Sequence, residues 1–171
     1  MTAGEIADLL SASKKVQIGT INPDGTPHLV TLFYGLIDGK IAFFTYRRSQ
    51  KVRNLVRDPR ISCLVETGQD YGELRGALIY GTARLIGDYA AVAKIGAVIV
   101  SRTMDIRADA AAGYVEHTAR KRVACVVEPF RVVSWDHRKL ARERPGRSAS
   151  AGSPASARPP APHERDREAS R

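Results

Sequence analysis

A chain of 171 residues, 43% of them hydrophobic, has the length and apolar content for one domain with a core of its own. The net charge of +9 divides into +6 over residues 1–140 and +3 over residues 141–171, and the basic tail has its acids interspersed and no aromatic residue for base stacking, so specific nucleic-acid binding is not indicated. Two cysteines without a CxxC pair and four scattered histidines exclude a disulfide scaffold and give no metal-site spacing; no apolar run is long enough to span a membrane.

Taken in order, residues 2–13 read as an amphipathic helix with Ile6, Leu9 and Leu10 on one face. Its Glu5 and Asp8 argue against a signal peptide, so a cytoplasmic protein is expected. Residues 15–21 form a strand, Asn22-Pro23-Asp24-Gly25 a turn, and residues 27–36 the returning strand of a hairpin. Asp38-Gly39 is a second hairpin turn, leading into the apolar run Ile41-Ala42-Phe43-Phe44 and on to Thr45 and Tyr46. Ser49 then reads as the N-cap of a short helix whose Val52, Leu55 and Val56 form one apolar stripe, and Asp58-Pro59 ends it.

Residues 60–67 are a fourth strand, and residues 74–86 a fifth, in which Gly76 and Gly81 mark bends or bulges. The period then changes to helical over residues 90–100, capped by Asp88, and over residues 108–119. Strands return at residues 122–127 and 130–135, separated by Glu128-Pro129. Cys63 and Cys125 sit inside two of these apolar strands and are expected as buried, reduced thiols. The fold class that results is mainly β: a small antiparallel barrel over residues 1–140 with peripheral helices. Residues 141–171 contain no Val, Ile, Leu, Met, Phe, Tyr or Trp, so burial cannot offset their ordering entropy and a disordered tail is expected.

The densest chemical signal lies between the third strand and the short helix. Arg47, Arg48, Lys51 and Arg53 cluster at a helix N-terminus, the end that already presents positive partial charge, and no Asp or Glu occurs between Asp38 and Asp58 to offset them. A bound phosphate would relieve that repulsion; a solvated basic turn is the alternative. There is no G-x-G-x-x-G after a strand and no Walker sequence, so neither of those nucleotide-binding routes is available.

The run GTINPDGTPHLVTLFYGLIDGKIAFFTYRRSQKVRNLVRDPRISCLVE, followed by GALIYGTARLI and SWDHRKL, resembles the flavin-binding split-barrel superfamily of pyridoxamine 5′-phosphate oxidase and the actinobacterial deazaflavin-dependent reductases. The likeness extends over nearly all of residues 5–140. It implies a split barrel that binds the deazaflavin coenzyme F-420, the preferred cofactor, or flavin mononucleotide (FMN). The phosphate would be held by the segment Thr45, Tyr46, Arg47, Arg48, Ser49, Gln50 and Lys51, and the ring would lie along Leu29, Val30, Thr31 and Leu32. It also implies a homodimer with the cofactor between barrels and a small-molecule substrate. Gln50 stands where the oxidases have the Arg of a Ser-Arg-Lys run, and the oxidases' substrate-binding C-terminal extension is missing, so the implied role is redox chemistry on another substrate.

No catalytic acid or base can be named, which suits hydride transfer, since the cofactor ring carries that chemistry. Tyr34, Tyr46 and Tyr80 are candidates for orienting a ligand, with barrel packing the plainer reading; His28 and Trp135 divide the same way between a site and ordinary packing. A non-catalytic flavin, deazaflavin or haem binder of the same fold, and a basic nucleic-acid-associated protein, are the alternative functions.

Overall fold

A computed structural model describes residues 1–140; the expected tail, residues 141–171, lies outside the described residues. Seven strands, β1 (Lys15–Ile21), β2 (Pro27–Phe33), β3 (Gly35–Ile37), β4 (Lys40–Tyr46), β5 (Arg60–Thr67), β6 (Arg75–Ile86) and β7 (Arg122–Asp136), form one sheet in the order β2-β1-β5-β6-β7-β4-β3. Every pairing is antiparallel. The two ends of that order, β2 and β3, are consecutive in the chain and separated only by Tyr34, so the sheet must curl until its edges meet. The result is the mainly β split barrel, with helices α1 (Ala3–Ala12), α2 (Gln50–Arg57), α3 (Tyr89–Thr103) and α4 (Ala108–Ala119) on its outside.

The barrel interior is filled by alternate residues of the strands, among them Val16, Ile18, Ile41, Phe43, Cys63, Val65 and Cys125, with Leu9 and Leu10 of α1 closing it. β4 is buried on its other face too, where Ala42 and Phe44 lie under Val92, Ile95 and Ile99 of α3. That double burial is why its sequence is a continuous apolar run rather than an alternating one. Asp38 and Gly39 both take positive φ, 50° and 74°, which gives the β3–β4 hairpin the twist that two-residue loops require.

Four sequence expectations are corrected. The strand expected over residues 27–36 is broken at Tyr34. The Tyr34 ring is fully buried and its hydroxyl donates to the carbonyl of Leu10 at 2.6 Å, so the chain changes neighbours there, from β1 to β4. β7 is one continuous strand rather than two: Pro129 keeps its place in the register opposite Gly81, and the shift at Tyr80/Gly81 leaves the next residue of β7, Phe130, as the extra one, so the pairing with β6 continues on both sides of the proline. α3 runs on past Val100 to Thr103, since Ile99 and Val100 remain buried and sustain the helical stripe. Val56 is 73% exposed, because the buried face of α2 is rotated to present Asn54 alongside Val52 and Leu55.

Gly81 faces the bulge across the sheet, where a Cβ would lie 2.7 Å from the Glu128 carbonyl oxygen, and Gly76 is a seat: a Cβ there would lie 2.3 Å from the Trp135 indole of the neighbouring strand. Trp135 is therefore held by its own barrel. Cys63 and Cys125 are free, buried thiols, and burial pushes Cys63 up to about 12 and raises Cys125 as well, so neither is a nucleophile.

Candidate functional site

The turn from β4 into α2 is fixed at both ends by backbone bonds. Arg47 N–H donates to Lys121 O at 3.1 Å and Ser49 N–H to Tyr46 O at 3.0 Å. Ser49 takes the N-cap position, and its carbonyl accepts from Val52 and Arg53 at 3.1 and 3.2 Å. Its hydroxyl, however, makes no capping bond. Ser49 Oγ is shielded from solvent and has no partner within the described residues, and the backbone N–H groups of Gln50 and Lys51 likewise find no backbone acceptor there. Three donors at one helix end are therefore left over, which is the arrangement an incoming oxyanion satisfies.

Lys51 is half-buried beside them, and burial lowers its ammonium pKa below the ordinary lysine value. Arg47, Arg48 and Arg53 are exposed, and none of these four cations forms a salt bridge among the described residues. Gln50 faces inward instead: its Nε2 donates to Asn54 Oδ1 at 2.9 Å. Asn54, fully buried, donates from Nδ2 to Thr20 Oγ1 at 3.1 Å and to Asn22 Oδ1 at 3.0 Å, and Arg57 donates to the carbonyl of Ile21. These bonds strap α2 to the β1–β2 hairpin and hold its N-terminus in place.

The predicted ring strand lies across the split in the barrel from this turn. The β3–β4 register pairs Gly35 with Ala42; carried past Tyr34 it would set Phe33 against Phe44 and Thr31 against Tyr46. The pairing stops instead, and a cleft of about 640 Å³ opens between Thr31, Leu32 and Phe33 on one side and Phe44 on the other, with α3, Tyr114 and Arg122 completing its wall. Thr31 and Leu32 line this cleft, whereas Leu29, 74% exposed, and Val30, packed on the barrel core, do not. Of the phosphate segment, Thr45 is buried in β4 and Tyr46 is 59% exposed at its end; Ser49, Gln50 and Lys51 are not among the cleft's walls.

Arg122 is a cleft residue that the sequence reading did not single out. Its guanidinium carbon lies 4.3 Å from the centroid of Phe44 and 4.9 Å from that of Tyr46, the residue it pairs with across β4 and β7. The sequence offers only a cation before an apolar run, and the sheet register alone brings it to the turn. Tyr34 and Tyr80 are occupied structurally, under Arg102 and Arg131, and no histidine lines the cleft. Among the described residues no group of three His, Cys, Asp or Glu side chains is placed to hold a metal ion.

The sequence profile of pyridoxamine 5′-phosphate oxidase matches residues 2–136. The chain belongs to that family. A conserved hypothetical protein of Mycobacterium tuberculosis is 38% identical to this family member, with a TM-score of 0.78 over 88% of this chain and 93% of that one. The haem storage protein HutZ of Vibrio cholerae shares the fold at 13% identity, TM-score 0.62, over 77% of this chain and 92% of that one. An F-420 reductase shares it at 20% identity, TM-score 0.57, over 78% and 98%. No curated protein matches this member in sequence.

Proposed function

We propose that this family member is an oxidoreductase that binds the deazaflavin coenzyme F-420, or FMN, and moves a hydride to or from a small organic substrate. The observation that carries the reading is the solvent-shielded Ser49 hydroxyl, without a partner among the described residues, beside the free N–H groups of Gln50 and Lys51 and the half-buried Lys51 ammonium, which is in no salt bridge among the described residues. These residues fit a phosphate: the hydroxyl and amides donate to its oxygens, and Lys51, Arg47 and Arg48 supply the counter-charge. When bound, the cofactor supplies the hydride chemistry. The chain's part is to position and to exclude water. β2 is a sheet edge, so on the side away from β1 its N–H and C=O groups are free to address the polar edge of a ring lying against Thr31 and Leu32.

The similar structures of an F-420 reductase and of a Mesorhizobium loti protein described as FAD-binding support a flavin-type group in general. Buried reduced thiols suit the cytoplasm. Titration of FMN, F-420 and haem, followed by visible absorption, tests the assignment: saturable spectral change with F-420 or FMN supports it, and binding of haem alone, or of none of the three, overturns it.

The protein is in this reading a homodimer. The free β2 edge carries exposed Leu29 and Phe33, and the part of β7 beyond its pairing with β4 carries exposed Phe130, Val132 and Val133, more apolar edge than a monomer leaves to water. Sedimentation should give twice the chain mass at micromolar concentration; a monomer only would contradict the dimer.

A further inference from the structure

The seam cleft has a chemical character of its own, distinct from the α2 turn. Its cations are Arg122 and Lys15, and no Asp or Glu lies in its walls. Arg122 is held between the Phe44 and Tyr46 rings, its Nε is shielded from solvent with no acceptor, and it forms no salt bridge among the described residues. An arginine whose plane is fixed by two rings and whose buried N–H is unsatisfied is ready to receive a planar, bidentate anion at little cost in side-chain ordering. The remaining wall is chiefly apolar, with Leu32, Phe33, Ile99, Val100 and Met104. Its volume falls in the range of roughly 300–1,000 Å³ typical of small-molecule pockets.

We infer that the cleft takes an organic carboxylate with a bulky apolar body, its carboxylate on Arg122 and its body against the β2–α3 wall. This deepens the proposed function by naming the substrate class, and it rests on that reading for the claim that the ligand is a substrate. The same chemistry could be met by a cofactor phosphate, but the residues that fit a phosphate, Ser49 and Lys51, lie outside these walls, whereas the walls around Arg122 suit an apolar body.

Calorimetric titration of the full chain with naphthoate and with the neutral naphthamide tests the inference. Naphthoate should bind the wild type about tenfold or more tightly than naphthamide. Arg122→Gln should abolish that preference by weakening naphthoate more than naphthamide, and Arg122→Lys, which keeps the charge but loses the fork, should restore only part of it. Equal affinities for acid and amide in the wild type, a measurement independent of how any variant folds, would overturn the inference, as would a preference that survives in Arg122→Gln. If Arg122→Gln weakens FMN or F-420 as much as Lys51→Ala does and leaves naphthoate binding intact, Arg122 serves the cofactor phosphate and the substrate assignment falls. A failure of FMN, F-420 and haem alike, with the acid preference intact in the wild type and lost in Arg122→Gln, would remove the redox reading and keep the carboxylate site.

Discussion

Lys51 and Arg57 stand on one short helix and differ in what holds them. Lys51 has no partner among the described residues and sits half-buried at the second helical position, whereas Arg57 is already engaged with the carbonyl of Ile21. Lys51→Ala should therefore lower F-420 or FMN affinity about tenfold to a hundredfold, the loss of one charge-assisted hydrogen bond of about 1.5–3 kcal/mol, with folding spared. Arg57→Ala should leave affinity nearly unchanged and lower the melting temperature; equal affinity losses would point to diffuse electrostatics. Titration at fixed salt separates the two. Asp136 contributes to acid sensitivity. Asp136 is bound by the Arg138 guanidinium at 2.6 and 2.8 Å, which holds its carboxyl at about 2. A carboxyl lowered in the folded state contributes stability that is complete above the unfolded value of about 4 and is lost as pH falls toward 2. Melting temperature should fall over that window in the wild type and fall less steeply in Asp136→Asn, which starts lower at neutral pH.

At the scale of the element, α2 illustrates where pattern reading succeeds and fails. Its start at Ser49 and its stop before Pro59 are local chemistry, and both are found. Its buried face is not local: a stripe of Val52, Leu55 and Val56 is the obvious hydrophobic choice, yet the helix buries Asn54 because Thr20, Asn22 and Gln50 satisfy it. Asn54→Ala removes all three bonds and leaves a buried hydroxyl and two amides short of partners, so it should cost about 1–3 kcal/mol in urea denaturation. A change within experimental error would show that α2 is held by Val52 and Leu55 alone. β7 carries the same lesson. Pro129 divides the sequence pattern in two, but the bulge beside it at Phe130 lets the pairing with β6 continue and keeps the strand whole.

At the scale of the whole molecule, closure rests on one residue and one distant cation. Tyr34 ends β2, and Arg102, at the end of α3, donates to the carbonyls of Leu10, Ser11 and Ser13, supplying a cation to the C-terminus of α1, whose last turn has no basic residue of its own. Residues 141–171 have no large apolar side chain to add to this core. Deleting them should leave the melting temperature nearly unchanged; a large drop would show that they dock.

The sequence by itself determined the mainly β class, the hairpin turns at Asp24-Gly25 and Asp38-Gly39, the caps at Ser49 and Asp88, and the basic turn, because each depends on residues within a few positions of one another. Only the tertiary structure decided that the Ser49 hydroxyl is left without a partner, that β2 and β4 part to leave a cleft, and that Arg122 stands between Phe44 and Tyr46 at its wall. Those facts depend on strand register and on how the sheet closes, and both are set by contacts between residues far apart in the chain, which no local pattern encodes.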